Sequence, residues 1–175
     1  MVTITISGTP GSGKSTVGKL LKKKLRTRYV YSGKIFRETA KKYDMSLEEF
    51  GKYCENNKEI DQELDRRQLE ILQEGGVILE GRLAGWIAHR NNISATKIML
   101  DADLEARAKR IVKREEGQIK KRREEILNRE KSEANRYKNY YNIDLKDTSI
   151  YDLVIDSTDK TPEEIVEIIL EKINR

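Results

Sequence analysis

VTITISGTPGSGKST, residues 2–16, decides the reading of this chain. Val2, Ile4 and Ile6 alternate with Thr3 and Thr5, all of them strand-favouring residues. That strand runs into Gly8-Thr9-Pro10-Gly11-Ser12-Gly13-Lys14-Ser15-Thr16, which matches the pattern G-x-x-x-x-G-K-[ST] at Gly8, Gly13, Lys14 and Ser15. The glycines let the backbone turn tightly and aim its N–H groups inward as an anion nest. Lys14 is placed to reach the outer phosphates as a point charge, and the Ser15 hydroxyl is a candidate Mg²⁺ ligand. Val17, Leu20, Leu21 and Leu25 follow at helical spacing, so the loop opens a helix whose N-terminus favours anions. Strand, glycine loop and helix together predict a nucleoside triphosphate as one ligand. They leave open whether its phosphate passes to water or to a second molecule.

The rest of the composition narrows the class. At 175 residues the chain is long enough for one domain with a substantial core. A single cysteine, Cys54, excludes an intrachain disulfide and fits a reducing compartment. No apolar run is long enough to span a bilayer, and the N-terminus enters a strand without a leader pattern, so a cytoplasmic protein without membrane partners is expected. Charge is uneven. Residues 105–138 hold thirteen Lys/Arg against seven Asp/Glu, a net of +6, whereas the whole chain carries +5, so the remainder nets −1. The positive surplus therefore lies in one segment.

Periodicity and punctuation predict strands near 2–7, 29–31, 77–80, 97–100 and 153–155. They predict helices near 14–26, 34–43, 46–54, 58–74, 104–140 (interrupted at Gly117) and from Pro162 onward. Ser46 with Glu49 forms a capping-box pattern, and Gly75-Gly76 stops the third helix before the final strand of that region. Five strands separated by helices read as an α/β, phosphate-loop fold with an open parallel sheet. Ligands of such sheets bind beyond the carboxyl ends of the strands. That rule selects residues 8–16, 32–37, 80–82, 101–103 and 156–160.

Arginines dominate this edge. Arg110 and Arg114 share a helix face at i, i+4, and Arg129, Glu133 and Arg136 share another at i, i+4, i+7. Ile119, Ile126, Ala134, Tyr137 and Tyr141 are too sparse for a deep core helix, so this segment reads as a polar hairpin over something anionic. With Arg37, Arg82 and Lys14 added, the edge suits transfer between two phosphorylated molecules, because arginine pairs bidentately with phosphate oxygens. Lys120, Lys121, Arg122 and Arg123 read instead as a solvated face, as do Asp61, Asp65 and Arg66 on the helix near 58–74. His89, the single histidine, and Cys54 read as surface or packing residues.

The strings GTPGSGKST, SGKIFR (32–37), LEGRLAGW (79–86), LEARAKRIVKRE (104–115), NREKSEANR (128–136) and DLVIDSTDKTPEEIV (152–166) make the chain resemble the nucleoside monophosphate kinases, closest to the short archaeal-type cytidylate kinases. The resemblance spans essentially the whole chain. It implies a core of about 1–31, 77–106 and 141–175, a monophosphate-binding segment of about 32–76 and a lid of about 107–140. It implies that Gly8, Thr9, Pro10, Gly11, Ser12, Gly13, Lys14, Ser15, Thr16 and Arg110 hold ATP, with residues 158–160 beside the adenine. Ser32, Gly33, Arg37, Arg82 and Glu133 would hold the acceptor, CMP or dCMP. Lys14, Arg114, Arg129 and Arg136 would act on the transferring phosphoryl, with Mg²⁺ held by Ser15 and, through water, by Glu80. Gly33-Lys34 replaces the Gly-Asp of many relatives, Leu83 stands where bacterial relatives carry an acidic residue, and their acceptor-domain insert is missing. The base contacts are therefore not carried over; Asp61, Asp65 and Arg66 on the helix near 58–74 could serve, with a solvated helix face the better reading for each.

Two other readings stay open at this point. One, in the same class, is an adenylate kinase or another small-molecule kinase. The other is an ATPase or GTPase switch, or an RNA-binding ATPase using the basic segment. Against a GTP switch, Asn57-Lys58-Glu59-Ile60 fails the N-K-x-D guanine pattern; against RNA, aromatics are not interleaved with the basic residues. A monomer without nucleic-acid partners is expected.

Overall fold

Alternation along the strands sets the layers of the protein. The computed structural model describes residues 2–174. In chain order the elements are β1 (Ile4–Gly8), α1 (Lys14–Leu25), β2 (Arg28–Tyr31), α2 (Ser32–Lys42), α3 (Leu47–Glu55), α4 (Lys58–Glu74), β3 (Val77–Glu80), α5 (Ala84–Arg90), β4 (Thr96–Asp101), α6 (Leu104–Glu115), α7 (Ile119–Tyr141), β5 (Leu153–Asp156) and α8 (Pro162–Ile173). The strands form one parallel sheet in the order β2-β3-β1-β4-β5.

One face presents Ile4, Ile6, Ile78, Ile98 and Leu100, which pack with Val17 and Leu21 of α1 and Ile165, Val166 and Ile169 of α8. The opposite face presents Val77 and Leu79, which pack with Leu72 of α4 and Ala84 and Ala88 of α5. A one-residue shift in strand register would exchange the two sets, so the pairing Ile4↔Ile78 and Ile4↔Thr96 is strongly specified. Each fully buried Leu or Ile contributes on the order of 1.5–3 kcal/mol. Helices on both faces of a parallel sheet leave the loops at its carboxyl edge to carry ligands.

Helix ends follow the sequence closely. Ser46 and Glu49 cap α3 reciprocally, as Thr161 and Glu164 cap α8, with Pro162 in its first turn. Asp103 accepts the Ala106 N–H at the start of α6. Between α6 and α7 the chain reverses through Glu116 and Gly117, with φ of 61° and 100°. Two boundaries differ from expectation. β1 begins at Ile4, since Val2 and Thr3 lie before the paired register. β2 passes directly into α2, so Ser32 and Gly33 are helical rather than loop residues. Among the described residues no helix is long and apolar enough to cross a membrane.

Candidate active site

The loop after β1 gets its shape from glycine. A side chain at Gly8 would put a Cβ 2.0 Å from the Leu100 carbonyl oxygen, and Gly13 caps α1 at φ 93°. Lys14 donates to the Thr9 carbonyl oxygen at 2.7 Å. Burial, with Arg82 and Arg129 beside it, pushes the Lys14 ammonium well below its ordinary value, a strain that a bound anion would relieve. Ser15 donates to Glu80 at 3.0 Å, and the Tyr29 hydroxyl donates to the other oxygen of the same carboxylate. Glu80 is only 1% exposed, so its orientation is fixed from two sides.

The loop borders a cavity of about 420 Å³. Pro10, Gly11 and Gly13–Thr16 line one end, followed by Tyr31–Gly33, Phe36 and Arg37 from β2 and α2, then Glu80–Leu83 after β3. Asp61, Leu64, Asp65 and Gln68 of α4 with Arg136 and Tyr137 of α7 close the far end, and Arg129 and Glu133 of α7 lie between, near Lys14. Thr9 and Ser12 shape the loop from outside the cavity. Thr9 donates to Asp101 at 2.7 Å, and the Ser12 carbonyl accepts from Ser157 at 2.8 Å.

Glu133 organises the arginines. It binds Arg82 at 2.7 Å and Arg129 at 3.0 Å. Burial alone would raise its carboxyl, but Arg82, Arg129 and Arg136 outweigh that and hold it below its ordinary value. Arg82 also donates to the Gly8 carbonyl oxygen, tying the end of β3 to the phosphate loop. Arg37 donates to the Tyr31 hydroxyl at 2.7 Å, and its guanidinium lies 5.7 Å from that ring centre. Ser32 donates to the Glu80 carbonyl oxygen at 2.7 Å.

The other expected arginines have partners of their own. Arg110 reaches the Gly11 carbonyl oxygen at 3.3 Å, the Ser157 hydroxyl at 3.1 Å and the carbonyl oxygens of Ser157 and Thr158, so it joins the loop to the segment after β5. Arg114, 56% exposed, stays at the cavity rim and pairs with Glu115. Arg136 was expected over the transferring phosphoryl. It is drawn instead to Asp61 of α4 at 2.8 Å, with both side chains almost fully buried, and its guanidinium lies 5.4 Å from the Phe36 ring centre.

Asp61 and Asp65 correct the expectation of a solvated face; only Arg66 is exposed. Asp61 is 3% exposed, and burial raises its carboxyl, opposed by Arg136. Asp65 accepts from the Tyr141 hydroxyl at 2.6 Å and from the Gln68 amide at 3.1 Å, and burial pushes its carboxyl up to about 7. The cause is tertiary: α7 folds back over the polar stripe of α4. Gln68 and Arg107 are further residues that sequence reasoning missed. Arg107 is 7% exposed, binds Glu130 at 2.7 Å and the Ala102 carbonyl oxygen at 2.9 Å, and so fixes α7 to α6 beside the loop. Arg122, read as solvated, lines the cavity and donates to the Glu116 carbonyl oxygen at 3.0 Å, closing the end of α6. Lys120, Lys121 and Arg123 are exposed, as expected. His89 is exposed, and Cys54 is buried beside Ala40 and Phe50 with its thiol pushed up to about 12 by burial, which leaves it unreactive.

Comparison with known proteins decides the family. A model of the cytidylate kinase-like family matches residues 3–159. The chain is 49% identical over 167 residues to the cytidylate kinase of Methanocaldococcus jannaschii, covering 95% of this chain and 94% of that one. The chain belongs to the cytidylate kinase-like family. Two other members are similarly related. The cytidylate kinase of Methanopyrus kandleri is 46% identical over 96% of this chain and 91% of its own, and that of Pyrococcus horikoshii 45% over 95% and 85%. Solved structures share the fold at lower identity. An uncharacterised protein from Eubacterium ventriosum aligns with TM-score 0.74 at 19% identity over 99% of both chains. A shikimate kinase from Aquifex aeolicus aligns with TM-score 0.57 at 20% identity over 99% of this chain and 96% of its own. This cytidylate kinase-like chain thus has the phosphate-loop kinase fold, with Arg37, Arg82, Arg129 and Arg136 and the carboxylates of Asp61, Asp65 and Glu133 lining one cavity.

Proposed function

We propose that the protein transfers the γ-phosphoryl group of ATP to CMP and dCMP. Family membership supports the activity, and one observation supports the site: a single cavity runs from the phosphate loop, through Arg37, Arg82 and Arg129, to the buried polar side chains of α4 and α7. A hydrolytic switch needs room for one nucleotide and a water, whereas this cavity continues well past the loop. Residues 8–16 and Arg110 would hold ATP, with 158–160 beside its base. Arg37 and Arg82 would bind the acceptor phosphate, helped by Ser32 and Gly33. Residues 32–76 would form the acceptor-binding segment and 107–140 a lid hinged at Glu116 and Gly117.

Phosphoryl transfer has a loose transition state with charge spread over the equatorial oxygens, so catalysis rests on positioning and electrostatics. Lys14, Arg129 and, from the rim, Arg114 would gather on that charge. Glu133 would hold Arg82 and Arg129 in place before substrate arrives, which lowers the reorganisation needed in the transition state. Arg136 would act on the acceptor side, since Asp61 already engages it. Ser15 and Glu80 offer two hard oxygen donors 3.0 Å apart, which fits Mg²⁺, an ion that takes few protein ligands and keeps water and phosphate oxygens. Bound there, the ion would neutralise charge on the outer phosphates. The working unit would be a monomer: among the described residues the large exposed apolar side chains, Tyr43, Leu127 and Val154, are scattered.

The test is ADP release from Mg-ATP with AMP, GMP, CMP, UMP, dCMP and dTMP, beside a control without acceptor. Turnover with CMP and dCMP and little without acceptor is expected. Preference for AMP would move the protein to another acceptor, and release independent of any monophosphate would remove Arg37 and Arg82 from an acceptor site.

A further inference from the structure

The cavity is polarised. Lys14, Arg82 and Arg129 cluster on its loop side, whereas Asp61, paired with Arg136, and Asp65 stand on α4. Carboxylates repel phosphate, so the α4 side must receive the uncharged part of the acceptor. On that side Asp61 Oδ2 and Arg136 Nε make no hydrogen bond but face each other as an ion pair at 2.8 Å, which leaves one buried polar atom with neither kind of partner among the described residues. Gln68 is 7% exposed, and its Nε2 donates to Asp65 Oδ1 at 3.1 Å. Its Oε1 has no partner among the described residues. A buried acceptor without a partner is costly and calls for a donor. Asp65 Oδ2 is engaged by Tyr141 at 2.6 Å, which fixes the carboxylate and leaves Oδ1 with one free lone pair beside Gln68. Two hydrogen-bonded side chains that line the cavity on the α4 side thus each keep spare acceptor capacity. Apolar Phe36, Leu64 and Leu83 complete the walls there.

We propose that Asp65 and Gln68 are specificity-determining residues that together accept the two hydrogens of the exocyclic 4-amino group of cytosine. This rests on the reading of the cavity as an acceptor site for CMP. A uracil ring would turn its O4 lone pairs toward the same two acceptors and be rejected above pH about 7, where Asp65 is ionised and neither side chain can donate without breaking the chain of bonds from Tyr141 through Asp65 to Gln68. The chain also fixes the amide orientation. With Asp65 accepting from Nε2, the unpartnered Oε1 is left beside Gly81, which lines the same cavity wall. In Asp65→Asn the Tyr141 hydroxyl holds Oδ1, the new Nδ2 faces Gln68, and the Gln68 amide turns over to accept from it. Nε2 then faces the cavity and suits uracil.

The experiment is steady-state kinetics of the full chain with saturating Mg-ATP and three acceptors: CMP, UMP and the CMP analogue in which hydrogen replaces the 4-amino group. In the wild type the analogue should lose about tenfold or more in kcat/KM against CMP, the size of one hydrogen bond to a buried polar group. Asp65→Asn should lower the CMP:UMP ratio by about tenfold or more while UMP turnover holds or rises. Gln68→Met should lower CMP turnover more than UMP turnover. Analogue turnover equal to CMP, or variants that lower CMP and UMP by the same factor, would overturn the assignment. The analogue arm needs no variant, so a misfolded substitution cannot hide the result. The two failures differ: a wild type that prefers AMP removes the CMP reading and this assignment with it. A wild type that prefers CMP with an unchanged ratio in the variants removes this assignment alone.

Discussion

The two ends of the cavity are built from different materials. The end proposed for ATP is backbone: a loop shaped by Gly8 and Gly13 at the N-terminus of α1, anchored by Lys14 and by Arg82 on the Gly8 carbonyl. The end proposed for the acceptor is side chains: Asp61 with Arg136, Asp65 with Tyr141 and Gln68, and Glu133 with Arg82 and Arg129, contributed by segments far apart in the chain. Triphosphates look alike, so a rigid backbone cradle suffices for them. An acceptor must be told from its neighbours, and that needs donors and acceptors in a set pattern. The cost is buried charge, which is only tolerable when each group keeps its partner.

Arg129 is where the two ends meet, so its loss should have the largest effect. Arg129→Ala is expected to lower kcat on the order of 10³-fold, as for an arginine finger supplied in cis, with smaller changes in KM. Single-turnover kinetics would check this, and a kcat near wild type would take Arg129 out of the transition state.

Next in size is the buried pair at the acceptor end. Arg136→Met should cost about 3–5 kcal/mol of stability because it leaves Asp61 charged and unpaired. Adding Asp61→Asn should recover most of that loss in chemical denaturation. Equal losses in the single and double variants would mean that the pair is not what holds α4 to α7. A smaller, separable effect is expected at Arg37: its alanine variant should raise the acceptor KM by about tenfold and leave the KM for ATP unchanged. An effect confined to ATP would place Arg37 at the wrong end.

The smallest effect is in pH. In the folded chain the Asp65 carboxyl sits at about 7 against an ordinary 3.8, through burial and Asp61, opposed by Tyr141 and Arg136. The folded chain therefore keeps a proton that the unfolded chain has lost. This group's contribution to stability is fullest below 3.8, falls as pH rises toward 7, and is level above that. The slope can reach about 1.4 kcal/mol per pH unit. Asp65→Asn should remove this part of the pH dependence, and an unchanged profile would show that Asp65 titrates normally.

The same contrast explains what could be read in advance. The donor end is local: strand, glycine loop and helix occupy residues 4–25, so their chemistry stands in consecutive letters. The five parallel strands were legible for the same reason, through short apolar runs bounded by Gly, Asp and Pro. The α4 side was less legible, because Gln68 carries no signal of its own and Asp61 and Asp65 on an otherwise charged helix look like a solvated stripe. Only Arg136 and Tyr141, some 75 residues on, bury it. Arg107 was lost among the other basic residues of its segment, since its burial follows from the docking of α6 against the loop. Sparse apolar residues on α7 did carry information, because its inner face is largely ionic: Glu133 and Arg136 are buried beside Ile126 and Tyr137.

The most direct measurement follows the phosphate itself. With γ-labelled ATP, Mg²⁺ and CMP, the label is expected in CDP, with inorganic phosphate at background. Label released as inorganic phosphate at a rate indifferent to CMP would contradict transfer between two nucleotides and leave the acceptor end without its proposed purpose.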